Sequence, residues 1–150
     1  MMNDQTTLKP HLICTDAKAA IAFYERVFGA TPGMVLHRPD GMLMHAELCF
    51  GTSSFYLAET CPEYGAHDPK SLGGSPVTLH LQVPDCDAVF GRAVEAGCTV
   101  RMPMADMFWG DRYGMVVDPW GHVWSVATAK RTLTAEQIES AFAEETAGTA

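Results

Sequence analysis

The chain has 150 residues, 47% of them hydrophobic, which is enough for one globular core or for two small similar halves sharing one. Its formal net charge of −8 argues against nucleic acid or an anionic membrane surface as partner and favours a cationic or neutral ligand. No apolar run approaches the ~20 residues of a membrane span, the opening Met-Met-Asn-Asp-Gln-Thr-Thr lacks the regions of a signal peptide, and five scattered cysteines contain no Cys-x-x-Cys pair, so a cytoplasmic protein with reduced thiols is expected.

In chain order, residues 8–15 read as a strand, and Asp16 is placed to cap an amphipathic helix that runs through Phe28 and closes at Gly29. Strands follow near 31–37, 43–50 and 53–58, with Pro39-Asp40-Gly41 and Gly51-Thr52 as turns. Residues 59–75 form an irregular connector containing Pro62, Pro69 and Gly73-Gly74. Val-Thr-Leu-His-Leu-Gln-Val, 77–83, alternates with period two and predicts a strand with unlike faces. Asp85 then caps a helix to Ala96, and strands near 98–102, 112–118 and 122–128 follow, the last two joined by Asp118-Pro119-Trp120-Gly121. An acidic, Ala-rich helix over 133–146 ends the chain, with Thr134 and Gln137 spaced as a capping box.

These elements repeat. An ungapped shift of 69 positions aligns His11-Leu12 with His80-Leu81, Asp16 with Asp85, Ala19 with Ala88 and Gly41 with Gly110, and it matches apolar to apolar along both halves. The expected architecture is α+β: one domain over 1–150, built from two βαβββ repeats at about 8–58 and 77–127 with the terminal helix appended.

A duplicated βαβββ unit with Asp16, Phe23-Tyr24 and Phe28-Gly29 in one half and Asp118-Pro119-Trp120-Gly121 in the other resembles the vicinal oxygen chelate superfamily of glyoxalase I, extradiol dioxygenases and bleomycin-resistance proteins. Met44-His45-Ala46-Glu47, Lys70 to Gly74 and Phe108 to Gly114 look nearest to its uncharacterised glyoxalase-like, PhnB-like branch. The resemblance implies an eight-stranded pair of half-barrels with helices outside, a cup for a small ligand, and a homodimer whose cups form within one chain or across two.

The resemblance also implies a divalent metal held from the first and last strands of each unit. Those positions fall on Lys9, Tyr56, Thr78 and Ser125, a cation and three neutral hydroxyls, so neither a glyoxalase I centre nor the extradiol set of two His and a Glu is present, and no cofactor is expected. Strand parity then projects Lys9, His11, His45, Glu47, Tyr56, Thr78, His80, Gln82, Arg112 and Ser125 into the cup, with Leu8 and Val77 on the helix side. Trp109, in a turn, is set to bind a flat ligand or a partner subunit. Arg112 is suited either to orienting a ligand's carboxylate or phosphate or to an internal ion pair.

The expected activity is binding of a small organic molecule in a polar cup without metal at the family's usual positions, antibiotic sequestration being one form. The alternative is a lyase, isomerase or dioxygenase-type enzyme, working through acid-base chemistry at Glu47 and His45 or through a displaced metal held by His11, His45, Glu47 and His80.

Overall fold

The computed structural model describes residues 4–148, which divide into two units that meet in sequence between Ser75 and Pro76. The first unit contains β1 (His11–Cys14), α1 (Ala17–Phe28), β2 (Thr31–His37), β3 (Leu43–Phe50) and β4 (Ser53–Glu59). The second contains β5 (Thr78–Gln82), α2 (Cys86–Glu95), β6 (Thr99–Asp106), β7 (Asp111–Val117), β8 (Val123–Ala129) and α3 (Ala135–Ala147). Each unit forms a four-stranded mixed sheet, ordered β1-β4-β3-β2 in one and β5-β8-β7-β6 in the other, with one parallel pair at the crossover. The α+β reading and the duplication both hold. No helix among the described residues is long and apolar enough to cross a membrane.

The helices start where the sequence places them, for reasons of hydrogen bonding. The Asp16 side chain accepts from Ala19 N and the Asp85 side chain from Ala88 N, each satisfying an amide that a helix start leaves without a partner. A second acceptor comes from the last strand of each unit: both Glu59 carboxylate oxygens accept from Ala17 N at 3.3 Å, and Thr128 Oγ1 accepts from Cys86 N at 2.8 Å. Thr134 and Gln137 complete the capping box of α3.

One face of each sheet is covered by its helix. In the first unit Leu12, Cys14, Ala46, Leu48, Phe55 and Leu57 are buried with Phe23, Tyr24 and Val27 of α1; in the second Val116, Trp124 and Val126 are buried with Val89 and Ala93 of α2. Asp118 closes the β7–β8 turn from inside, accepting from Trp120 N, His122 N and Trp124 Nε1 at 2.9, 3.0 and 2.9 Å.

Some boundaries differ from expectation. β1 begins at His11, after Pro10, which brings no N–H to a ladder. Leu8 and Val77, expected under the helices, are 95% and 58% exposed. β6 continues past Met102 to Asp106 because it is an edge strand with two register shifts, where Pro103 is tolerated. The connector includes a 3-10 turn at Pro62–Tyr64.

Candidate functional site

In each unit a group of polar side chains lies on the sheet face opposite the helix. In the first unit, His11 on β1 pairs with Tyr56 on β4, which pairs with Glu47 on β3, so three strands place these residues in one row. Lys9, two positions before His11, sends Nζ to Glu47 Oε2 at 2.6 Å and lies 5.2 Å from the centre of the Tyr56 ring. Ser54 Oγ donates to the same Glu47 oxygen at 3.0 Å. His45 stands beside the row, with ring centres 4.6 Å from Tyr56 and 6.1 Å from His11. The structure therefore brings together Lys9, His11, His45, Glu47 and Tyr56, as parity projects. It adds Ser54, which the same parity signals, two residues from Tyr56.

The electrostatics follow from these contacts. Hydrogen bonds from Lys9 and then from Ser54 hold the Glu47 carboxyl below its ordinary value, and the bond to Glu47 raises that of Lys9. Desolvation, then the neighbouring His45, lowers that of His11. Among the described residues no hydrogen bond reaches a ring nitrogen of His11 or His45, whose contacts are ring to ring.

In the second unit the equivalent row is His80 on β5, Ser125 on β8 and Met115 on β7. Here both histidine nitrogens are engaged: Nδ1 lies 2.8 Å from Ser125 Oγ and Nε2 lies 2.8 Å from Gln82 Oε1. Tyr113 stacks on His80 at 6.1 Å and 17°, and Trp109 meets Tyr113 edge to face at 5.5 Å. Gln82 and Ser125 thus hold His80, on which Tyr113 stacks with Trp109 against it, while Thr78 is exposed at the start of β5.

Arg112 is a correction. Its side chain lies on the helix-covered face, where Nε contacts Asp87 of α2 at 2.8 Å and Nη1 contacts Asp106 at 3.3 Å. The cause is a turn. Tyr56 and Ser125 are 69 positions apart, but their partners Glu47 and Met115 are only 68 apart, because the β7–β8 connection holds one residue more than an ungapped repeat allows. One residue inverts every face of a strand. Arg112 therefore shares its face with Gly114 and buried Val116, and Tyr113 and Met115 take the places that correspond to His45 and Glu47. Of the two roles open to Arg112, the ion pair is the one formed, with Asp87 and Asp106 as its partners.

The donors present do not fit the superfamily's metal. At the corresponding positions an ammonium is paired with a carboxylate, a phenol lies beside it, and a serine hydroxyl is bonded to His80. Among the described residues no group of three His, Cys, Asp or Glu side chains that could hold a metal ion is found.

Comparison with known proteins gives the same architecture. The family model of the Glyoxalase/Bleomycin resistance protein/Dioxygenase superfamily matches residues 4–126. An uncharacterized protein of Mycobacterium bovis, Mb0911c, is 41% identical over 147 residues, covering 96% of this chain and 97% of its own. The crystal structure of PA1353 from Pseudomonas aeruginosa superposes with a TM-score of 0.72 at 23% identity, covering 85% of this chain and 100% of that one. A Bacillus cereus structure described as a putative 3-demethylubiquinone-9 3-methyltransferase, PhnB protein, has a TM-score of 0.65 at 15% identity over 83% and 100% of the two chains, which shows a shared fold. With its two βαβββ units and a family match across both of them, this chain belongs to the glyoxalase/bleomycin resistance protein/dioxygenase superfamily.

Proposed function

We propose that the protein binds a small organic molecule through the polar sheet faces of its units, with no resident metal at the superfamily's usual positions. The observation that carries this reading is the Lys9–Glu47 pair at 2.6 Å, which puts an ammionium where a metal would need a lone pair. Antibiotic sequestration is one form of such binding, and Trp109, stacked edge-on against Tyr113, supplies an optical reporter for it. A homodimer belongs to the same reading, supported by edge strand β2, which exposes Met34, Val35 and Leu36.

The test is elemental analysis of protein purified without added metal, followed by thermal scans with Ni²⁺, Zn²⁺, Mn²⁺ and Fe²⁺ and by a tryptophan-fluorescence titration with metal-free bleomycin. Binding without metal is the expected result. Stoichiometric metal, lost when His45 is replaced, would overturn it.

A second reading, acid-base catalysis, is narrowed by one observation. Glu47 is held ionised by Lys9 and Ser54, which weakens it as a base, whereas His45 has ring nitrogens with no protein hydrogen bond. In that reading His45 is the base.

A further inference from the structure

The polar face of the first unit is unbalanced between donors and acceptors. Lys9 carries three N–H donors and no acceptor; its shortest hydrogen bond goes to Glu47, and it also interacts with the Tyr56 hydroxyl. The Tyr56 O–H, whose oxygen faces the Lys9 ammonium, and the imidazoles of His11 and His45 add donors to the same face. The one carboxylate in the group, Glu47, already accepts from Lys9 at 2.6 Å and from Ser54 at 3.0 Å. A cation arriving here would have to compete with Lys9 for that carboxylate. An oxygen-rich anion would instead meet the Lys9 ammonium, a phenol and two imidazoles.

The four side chains are close neighbours. Ring centres lie 4.6, 5.9 and 6.1 Å apart among His45, Tyr56 and His11, and Lys9 Nζ lies 5.2 Å from the Tyr56 centre, so a single small group on this face meets all four. The chain's net charge of −8 opposes anions at long range, but screening confines that field to about 8–10 Å, and within that radius contacts decide. The second unit provides the contrast. His80 stands at the place of His11, but both its nitrogens are taken by Ser125 and Gln82, and Met115 stands at the place of Glu47.

We infer that Lys9, Tyr56, His11 and His45 form a receptor for the oxyanion group of a small organic ligand, a carboxylate, phosphonate or phosphate, with the Lys9 ammonium meeting the oxygens that a metal would hold elsewhere in the superfamily. This rests on the binding reading above and narrows its ligand class. Glu47 acts here as a positioning residue that fixes Lys9 and limits how tightly an anion is held.

The experiment follows the histidine ring C–H signals of the full chain by NMR at fixed pH during titration with sodium sulfate, acetate and methylphosphonate, against sodium chloride at matched ionic strength. His11→Gln and His45→Gln assign the two signals. Saturable shifts confined to His11 and His45 are expected, with exposed His37 and His67 following the chloride control. The relative response to acetate and methylphosphonate separates a carboxylate from a phosphorus oxyanion. Lys9→Met should weaken binding about tenfold or more, the effect of losing one charge-assisted hydrogen bond, and Lys9→Arg should retain most of it. Glu47→Gln should tighten it severalfold by releasing Lys9, a direction that simple damage to the fold does not produce. Absence of saturable shifts with all three anions, equal shifts at all histidines, or weaker binding in Glu47→Gln would each overturn the inference. Bleomycin binding without an anion response would overturn the oxyanion class and leave the binding reading standing, whereas stoichiometric metal would overturn that reading itself.

Discussion

Replacing Asp118 by alanine should be among the most damaging single changes outside the apolar core. The carboxylate is 3% exposed and receives three donors, the Trp120 and His122 amides and the Trp124 indole, all within 3.0 Å. A hydrogen bond to a charged acceptor contributes about 1.5–3 kcal/mol net, and a buried donor left unsatisfied costs about 1–3 kcal/mol. The two turn amides lie in a half-exposed segment that water can reach, so the indole of Trp124, 2% exposed, dominates the loss. The total expected is about 3–4 kcal/mol. Asp118→Asn keeps an acceptor for the amides but turns an NH₂ group toward the indole N–H, for about 2 kcal/mol.

Urea denaturation followed by tryptophan fluorescence is the assay, and the protein is suited to it. Trp109, Trp120 and Trp124 all lie after Pro76, so all three reporters belong to the second unit, which holds Asp118. The midpoint should fall with little change in the slope. Combined with Trp124→Phe, the cost of Asp118→Asn should be much smaller than in the parent background, because the clash it creates is gone. A loss under about 1 kcal/mol for Asp118→Ala would refute the idea that this carboxylate holds the turn.

Other outcomes follow from single residues. Gly110 has φ +103° and a Cβ there would lie 2.5 Å from the Arg131 carbonyl oxygen, so Gly110→Ala should cost more than about 2 kcal/mol in the same assay, while Gly41→Ala, with nothing within 4 Å of its added Cβ, should cost about 1 kcal/mol. Burial pushes the Cys98 thiol up to about 12, so at pH 8 iodoacetamide should modify half-buried Cys49 and Cys61 first and Cys98 only on unfolding, as read by peptide mass spectrometry. The lowered value of His11 means that the unfolded chain takes up its proton first as pH falls. Stability should therefore be fully present above pH 6.5 and decline between 6.5 and the lower folded value, and His11→Gln should remove that part of the urea-midpoint profile.

The fold was legible because its signals are local. Asp16 and Asp85 precede apolar helix patterns, Gly29 ends one of them, Thr134 and Gln137 form the predicted box, and period-two alternation marks the strands. The first-unit row was legible for the same reason, since parity carries from Lys9 to His11 and from Glu47 to His45 without interruption. What sequence cannot carry is the choice among partners. His11 and His80 are twins by position, but one ring keeps its nitrogens open and the other has both engaged, because Ser125 and Gln82 supply small polar groups where Tyr56 and Ile13 stand in the other half. The Arg112 face failed on parity itself, through one residue in a turn.

That residue makes a prediction that separates the structural correspondence from the sequence repeat. Glu47 corresponds by ungapped shift to Val116, but by strand pairing to Met115, since Tyr56 faces Glu47 and Ser125 faces Met115. Met115 is half-buried on the face that carries His80, whereas Val116 is 1% exposed against the helix side. Met115→Glu combined with Thr78→Lys should therefore install in the second unit a counterpart of the Lys9–Glu47 pair, at a cost under about 1.5 kcal/mol. Val116→Glu, with or without Thr78→Lys, should cost more than about 3 kcal/mol, because it buries a carboxylate with no cation on its face. Equal penalties from the two glutamates in urea would refute the assignment of faces. A mild Val116→Glu and a severe Met115→Glu would reverse it and return Arg112 to the face of His80.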